Sequence, residues 1–299
     1  MDHIDKLIWL YSYVSECYDN ELRWYCQRFS CNTTPAAFSD KELLTIYLFE
    51  ILEEQNYQIK QMHRHVKKYL LSWFPRLPSY QRFNKRLNEL EEVFPLLLNQ
   101  VIDSANLTMM DWQTSLGDSM PVVVASAKRS ARAKTASACC SKGYCASKDM
   151  YYYGVKVHSL AFRRTGHLPL LEQVMISPAS HHDLAVMRPY LHQRPNRRFI
   201  LDKAYCDSEL AQHLEEKLAA ELVTPNKKKK NEPEQAADRL WNTMVSRIRQ
   251  PIESLFNWIE EKTSIQMASK VRSDRGLKVH IFGKLTAAMI AFVFPIFNY

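Results

Sequence analysis

Glycine is scarce in this chain, with six among 299 residues. The sequence therefore has no glycine-rich loop of the kind that cradles nucleotide phosphates. Its seven cysteines are an odd number, and their spacing forms no disulfide framework. Cys139, Cys140 and Cys145 lack the second CxxC pair or paired histidines that a zinc site needs. We expect free thiols in a reducing cytoplasm.

Targeting features are also missing from the sequence. The first residues include Asp2, His3 and Asp5 rather than a basic start before an apolar stretch, so we expect no signal peptide. The most apolar segment, residues 285–297, is broken by Pro295 and is too short to span a bilayer. We expect it to form a core helix or strand, in a cytoplasmic protein with no membrane partner.

The composition is sufficient for a large core and carries an excess of positive charge. Hydrophobic residues make up 46% of the chain, which suits one large domain or two smaller ones. The net charge is +8, and the pI is about 9.0. This charge favours a polyanionic partner. A membrane surface is the competing interpretation, but the sequence shows no basic amphipathic anchor to support it.

Residues 1–105 have the pattern of a helical domain. Ser39 and Glu42 form a capping box before apolar residues at helical spacing. A basic helix is expected near 57–71, and a third helix begins after Ser79 and carries Arg82, Lys85 and Arg86 near its start. Short helices joined by a proline-rich turn indicate a DNA-binding module. The alternative is a helical bundle whose exposed faces happen to be basic.

Residues 106–299 predict an α/β (α+β) domain. Strands are expected at 107–110 and 112–116, which lead into Asp118, and at 151–160, 168–176, 199–202 and 222–224, with helices at 184–192, 208–218 and 234–262. Strands followed by alternating strand and helix indicate a mixed five-stranded sheet flanked by helices.

Two basic segments interrupt this pattern. Residues 119–148 contain no acid and appear too polar and irregular for a strand. We expect a basic loop at 126–148, either a solvated loop or a clamp on the DNA backbone through four cations: Lys128, Arg129, Arg132 and Lys134. The four lysines at 227–230 form a second basic run, expected as a surface loop.

Three acids stand in different kinds of segment. Asp118 follows Ser-Leu-Gly, Asp202 ends the apolar run Arg-Phe-Ile-Leu, and Glu253 lies on a long amphipathic helix. Carboxylates at two strand ends and on one later helix can converge on divalent cations, for which magnesium prefers hard oxygen ligands. Taken singly, each acid is more often an exposed or capping carboxylate.

Seven sequence pieces carry a resemblance in their order. They are Phe38-Ser-Asp-Lys-Glu-Leu-Leu-Thr, Phe74-Pro-Arg-Leu-Pro-Ser-Tyr-Gln-Arg-Phe, Gly117-Asp-Ser-Met-Pro, Tyr153-Gly-Val-Lys-Val-His, Leu201-Asp-Lys-Ala-Tyr, Arg249-Gln-Pro-Ile-Glu and Val271-Arg-Ser-Asp-Arg-Gly-Leu-Lys-Val-His-Ile-Phe-Gly. In this order the chain resembles the DDE-type transposases of bacterial insertion sequences, whose catalytic domain is ribonuclease-H-like. That resemblance covers most of the chain.

The resemblance implies a role for each of the three acids. Asp118 would bridge two Mg²⁺ ions, with Mn²⁺ as a substitute. Asp202 would complete the coordination of one ion, and Glu253 would coordinate the other. Arg249, one helical turn before Glu253, would bind a DNA phosphate as a fork donor or pair with Glu253. A related signature also places Tyr and Lys on this helix, where the chain has Ser246 and Glu260.

Two polar residues on one expected strand are harder to assign. Lys156 and His158 alternate with valines, so their side chains share one face of the strand. We expect Lys156 to point toward the site of the three acids and to contact DNA. His158 is better interpreted as a hydrogen-bonded structural histidine. The roles of His158 and of Lys262 stay open at the level of sequence.

The function implied by the resemblance is cut-and-paste transposition of an insertion sequence. The partners would be double-stranded DNA, as terminal inverted repeats and target, and further copies of the chain in a homodimer or larger assembly, in the nucleoid-associated cytoplasm. Two alternatives stay open: a metal-dependent nuclease of the same fold that cuts but does not join, and an inactive transposase-derived DNA-binding protein.

Overall fold

A computed structural model describes residues 2–28, 36–227 and 235–297. The chain divides into two compact units, one of residues 1–106 with 259–299 and the other of residues 107–258. The first limit lies one residue from the domain boundary expected at 105, whereas residues 259–299 group with the N-terminal helices. Of the second basic run, residues 228–230 lie outside the described part of the chain.

The first unit is helical, as expected. Its helices are α1 (His3–Asn20), α2 (Asp40–Leu52), α3 (Ile59–Tyr69), α4 (Tyr80–Glu89), α5 (Val93–Asp103) and α10 (Asp274–Val293). The Ser39–Glu42 capping box is present at the start of α2, with Ser39 N–H donating to Glu42 over 2.7 Å. Ten residues of α2 are buried, so this helix forms the centre of the unit.

The apolar C-terminal segment forms a core helix. α10 packs against α2 and α5. Gly283 on α10 permits this close approach, since a Cβ there would lie 2.5 Å from the Tyr47 ring. Among the described residues α10 alone is long and apolar enough to cross a membrane, yet 72% of its most apolar window is buried within the protein. That burial is typical of a core helix.

The second unit contains a mixed sheet flanked by helices. Its strands are β1 (Met110–Ser126), β2 (Ser141–Cys145), β3 (Met150–Arg164), β4 (Leu170–Pro178), β5 (Arg198–Ile200) and β6 (Glu221–Val223). Its helices are α6 (Ala127–Ser130), α7 (Asp183–Leu191), α8 (Ser208–Leu218) and α9 (Ala236–Thr263), the last continuing beyond residue 258.

The sheet order is β2-β3-β1-β5-β6, with β4 also pairing with β3. β3 is antiparallel to β1, β2 and β4, whereas β1, β5 and β6 are parallel to one another. The long strands β1 and β3 form the middle of the sheet. On one face, α7 and α8 cover a core that includes Leu160, Phe199, Leu201 and Tyr205.

Two details of the expected sheet are wrong: it has six strands rather than five, and the segment expected as a loop is partly a strand. β1 continues to Ser126, and β2 occupies residues 141–145 within the basic loop expected at 126–148. β2 is an edge strand in which buried Gly143 stands between exposed Lys142 and Tyr144. Polar residues are tolerated there because one face of an edge strand is solvated.

Candidate active site

Asp118 lies on β1 in the middle of the sheet. It pairs with Ser159 of β3, and two residues earlier Leu116 pairs with Ile200 of β5. The Asp118 carboxylate is largely buried, with 22% of the side chain exposed. Its Oδ1 accepts from the Ser119 N–H over 2.8 Å, and its Oδ2 accepts from Arg249 Nη1 over 2.6 Å. The strand thus holds this acid in one orientation.

Arg249 joins Asp118 to Glu253. Arg249 and Glu253 are four residues apart on α9, so they lie on the same helical face. While Nη1 donates to Asp118, Nη2 donates to Glu253 Oε1. The arginine side chain is 13% exposed and the Glu253 side chain 50%. The ion pair expected as one role of Arg249 is present, and the guanidinium lies between two of the three acids.

Asp202 completes the group from the end of β5. β1 and β5 are parallel, and Leu116 of β1 pairs with Ile200 of β5. Asp118 follows Leu116 by two positions, and Asp202 follows Ile200 by two positions. Burial is the main cause of the raised pKa of Asp118, and the charge of Asp202 adds to it. Burial lowers the pKa of Arg249, but the charges of Asp118, Glu253 and Asp202 together raise it. Within the second unit, hydrogen bonds join Asp118, Arg249 and Glu253 into one cluster, and Asp202 lies within electrostatic range of it.

Neighbouring acids have structural roles. Asp207 caps α8, because its Oδ1 accepts from the Leu210 N–H over 2.8 Å. Asp111 lies at the start of β1, where its Oδ1 accepts from the N–H groups of Gln113 and Thr114 at 3.1 Å each. Both carboxylates are used in holding the backbone rather than in the cluster.

The cluster carries surplus negative charge. The pKa of Asp118 is raised to about 6, chiefly by burial and in part by the charge of Asp202, while Arg249 and the Ser119 N–H oppose the rise. Three carboxylates and one guanidinium leave a net charge of −2 when all are ionised. Burial of an incompletely compensated acid is unfavourable, so the site would gain from an added cation.

The donor chemistry of the cluster suits a hard divalent cation, because each acid offers carboxylate oxygens. Across residues 2–28, 36–227 and 235–297, no three His, Cys, Asp or Glu side chains already stand close enough to hold a metal. Arg249 occupies the space between Asp118 and Glu253. An ion bound by both acids would require the guanidinium to leave them.

A polar groove runs along α9 beside the cluster. It has a volume of about 460 Å³ and ends at Arg249 and Glu253. Arg239 and Arg247 also line it, together with Asn242, Thr243, Ser246 and Gln250. Sequence analysis missed these two arginines, although their positions on the helix of Glu253 were a usable signal.

Tyr205 is a further candidate residue that the sequence pattern did not single out. It follows Asp202 by three residues, and its hydroxyl is buried. Burial and the charges of Asp183, Asp118 and Asp202 hold its pKa well above the usual range. The phenol is therefore a neutral group beside the acids.

Lys156 does not point toward Asp118, which corrects the sequence expectation. Asp118 pairs with Ser159, so Ser119, His158 and Lys156 lie on the other face of the sheet. There Lys156 Nζ donates to the His181 carbonyl over 3.0 Å and to Asp183 over 2.7 Å. The side chain is thus already used to hold the start of α7.

His158 has the structural surroundings favoured by the sequence interpretation. It is fully buried, and its Nε2 lies 2.8 Å from Ser177 Oγ. Burial lowers the pKa of His158 to about 4, so the imidazole is neutral at physiological pH.

The cations expected to contact DNA from α4 differ in their surroundings. Arg82 and Lys85 are exposed. Arg86 is directed inward: its Nε and Nη2 donate to the two carboxylate oxygens of Asp40 over 2.8 and 2.7 Å, and Nη2 also donates to the Cys26 carbonyl. Arg86 therefore binds a buried acid of its own unit, and its contact with DNA stays a prediction.

The four cations expected in the basic segment are all exposed. Lys128 and Arg129 lie on α6, and Arg132 and Lys134 follow it. Their side chains therefore face solvent, where a polyanion could reach them.

Comparison with curated proteins and with solved structures gives no match. The family model described as "Transposase DDE domain" matches residues 114–290, more than half of the chain. The matched range contains Asp118, Asp202, Arg249 and Glu253, the four residues of the cluster. The chain belongs to the DDE transposase family.

Proposed function

We propose that this protein is a cut-and-paste DNA transposase with a ribonuclease-H-like catalytic unit. It binds the terminal inverted repeats of its own insertion sequence, hydrolyses phosphodiester bonds there, and uses the released 3′ hydroxyls to attack target DNA. The observation that carries the proposal is the pairing of Arg249 with Asp118 and Glu253, with Asp202 in electrostatic range, inside the matched transposase domain. A transposase acts on DNA, and the basic charge of the chain suits that substrate.

DDE transposases generally use divalent metals, and the surplus negative charge of the cluster fits such ions. Asp118 would contact two Mg²⁺ ions, Asp202 one of them and Glu253 the other, with Mn²⁺ as a substitute. Bound there, the two ions would activate the attacking oxygen and stabilise the leaving oxygen of the phosphodiester.

The residues of the chain itself position the DNA and control the charge of the site. Arg249 would be released from Asp118 and Glu253 if these acids held a cation, and its planar fork would then match a DNA phosphate. Its Nε–H, which has no partner among the described residues, gains an acceptor in this state. Arg239 and Arg247 extend the positive charge along the groove of α9, in which the scissile strand lies.

Sequence recognition is assigned to the first unit and backbone contact to the second. On α4, the exposed Arg82 and Lys85 contact DNA, and in the basic segment Lys128, Arg129, Arg132 and Lys134 contact phosphates. Base edges specify a sequence whereas phosphates do not. Paired ends require two active sites, so the protein works as a homodimer or larger assembly on DNA.

Substitution of the acids tests the proposal. Asp118→Asn, Asp202→Asn and Glu253→Gln should each reduce Mg²⁺-dependent cleavage of a duplex carrying the ends that flank the gene by at least about a hundredfold, because each removes a ligand charge. Binding of the same duplex should change little. Glu215→Gln, an exposed acid on α8, is the matched control and should cleave like the wild type.

The readouts separate the alternatives. A pre-cleaved end with a 3′ hydroxyl should join to a supercoiled plasmid, and cleavage without joining would identify a nuclease. Binding without cleavage in the wild type would identify an inactive transposase-derived protein. Full cleavage by all three acid variants would refute the assigned metal site.

A further inference from the structure

A second cleft lies outside the acidic cluster, between the β2–β3 hairpin and the segment that precedes α7. Its volume is about 540 Å³. Lys142, Tyr144 and Tyr151 of the hairpin form one side, and Ser180, His181 and His182 form the other. None of these residues takes part in the site described above.

Two tyrosine rings are exposed in this cleft. Tyr144 and Tyr151 are directly paired across β2 and β3, and 47% and 56% of the two residues are exposed. Their ring centroids lie 5.0 Å apart, and Lys142 Nζ lies 4.9 Å from the centroid of the Tyr151 ring. Aromatic rings beside a cation offer stacking surface and positive charge together, which suits a planar, negatively charged ligand.

The walls of the cleft are held by contacts within the protein. Gly143 lies against the backbone of Ala179, since a Cβ at this glycine would lie 2.5 Å from the Ala179 carbonyl oxygen. Ser141 Oγ and Ser180 Oγ lie 2.9 Å apart, and Ser141 Oγ also accepts from the Ser180 N–H over 2.8 Å. The cleft is therefore formed before any ligand binds, which reduces the entropy lost on binding.

The charges around the cleft favour an anion. The acid that lines it, Asp183, is compensated by Lys156, and Asp149 accepts from the Tyr144 hydroxyl over 2.5 Å. Lys142, His181 and His182 are exposed. One ammonium group and two imidazoles can donate to phosphate oxygens on either side of a stacked ring.

We infer that this cleft binds an unpaired nucleotide of a DNA strand, with its base stacked on Tyr144 and Tyr151 and its flanking phosphates beside Lys142 and His181. A paired base inside a duplex does not expose its face, so only a single-stranded or frayed segment can bind in this way. The inference rests on the proposed function, since it takes DNA as the substrate. The β2–β3 hairpin would thus contact unpaired DNA, a role that is separate from that of the acidic cluster.

The test measures the contribution of the bases to binding by the full-length protein. The probes are a fluorescent oligothymidylate of about ten nucleotides and an abasic phosphodiester chain of the same length and charge. The wild type should bind the thymidylate more tightly than the abasic chain. Tyr144→Ala and Tyr151→Ala should each reduce this difference about tenfold, because each removes a stacking ring.

Three variants control for other causes. Tyr144→Phe and Tyr151→Phe keep the rings and should retain the preference for bases. Tyr11→Ala, which removes an exposed tyrosine of α1, should leave it unchanged. In a parallel assay, 2-aminopurine placed within the thymidylate should be quenched by the wild type and by both Phe variants, but not by the double Ala variant.

The results distinguish this inference from the proposed function. Equal affinity of the wild type for the two probes, or an undiminished preference in the double Ala variant, would overturn the base-binding cleft even if duplex cleavage is observed. A tyrosine-dependent preference in Asp118→Asn, which cannot cleave, would support the cleft independently of catalysis. Loss of the preference in both Phe variants would also overturn it, since stacking needs only the ring.

Discussion

The buried charge of Asp118 should make the metal-free protein less stable than its Asp118→Asn variant at neutral pH. Burial raises the pKa of this carboxyl from its ordinary value of 3.8 to about 6. Each pKa unit corresponds to 1.36 kcal/mol, so ionised Asp118 lowers the free energy of unfolding by about 3 kcal/mol. The Asn side chain retains an acceptor for the Ser119 N–H and Arg249 without the charge.

The sign of the effect fixes its pH dependence. A carboxyl whose pKa is higher in the folded state contributes stability below its unfolded pKa, and that contribution is lost as the pH rises through the folded value. The advantage of Asp118→Asn should therefore be absent below about pH 4, grow between pH 4 and 6, and be complete above pH 6.

Urea unfolding at pH 7 and at the lowest pH at which both proteins remain folded measures this difference. The buffer contains a chelator, because a bound cation would compensate the charge. Glu215→Gln, which removes an exposed acid of α8, should change the unfolding free energy by less than about 0.5 kcal/mol. Equal or lower stability of Asp118→Asn at pH 7, or a difference that does not vary with pH, would refute the reasoning.

Two further predictions concern DNA contacts. Replacing Lys128, Arg129, Arg132 and Lys134 together should weaken the binding of all duplexes alike. The salt dependence of binding should flatten by about one unit of slope for each lost phosphate contact, and an unchanged slope would mean that these residues face solvent only. Arg82→Ala should cost about 1–3 kcal/mol in binding to the terminal repeat and much less on random duplex if it reads a guanine. Arg86→Ala should instead lower the free energy of unfolding by about 3 kcal/mol, because it removes a partner of buried Asp40. Equal unfolding curves for Arg82→Ala and Arg86→Ala would contradict this structural role of Arg86.

Much of the secondary structure could be predicted from local signals. The capping box at Ser39 and the cap at Asp207 fix the starts of α2 and α8, because each cap involves residues only three apart. Sequence periodicity also identified β3, β4 and the long helix α9. These elements are determined by short-range hydrogen bonds and by the spacing of apolar residues.

The errors arise where distant residues decide the outcome. Arg86 resembled a surface cation, but its partner Asp40 is 46 residues away and comes from another helix. Lys156 was placed toward the acids, yet its face depends on the register between β1 and β3, and a one-residue change reverses it. β2 was missed because an edge strand of five residues has only one buried position, at Gly143.

The position of Arg249 compensates part of the negative charge of this acidic cluster. Asp118 is buried and repelled by Asp202, and the guanidinium compensates part of that charge while also pairing with Glu253 on its own helix. Compensation is incomplete, because the pKa of Asp118 still rises to about 6. Proteins retain such unfavourable charges where the charge itself is useful, at a cost in stability. The same surplus that destabilises the folded chain is what would draw divalent cations to the cluster, and their binding would free Arg249 for the phosphate of the DNA.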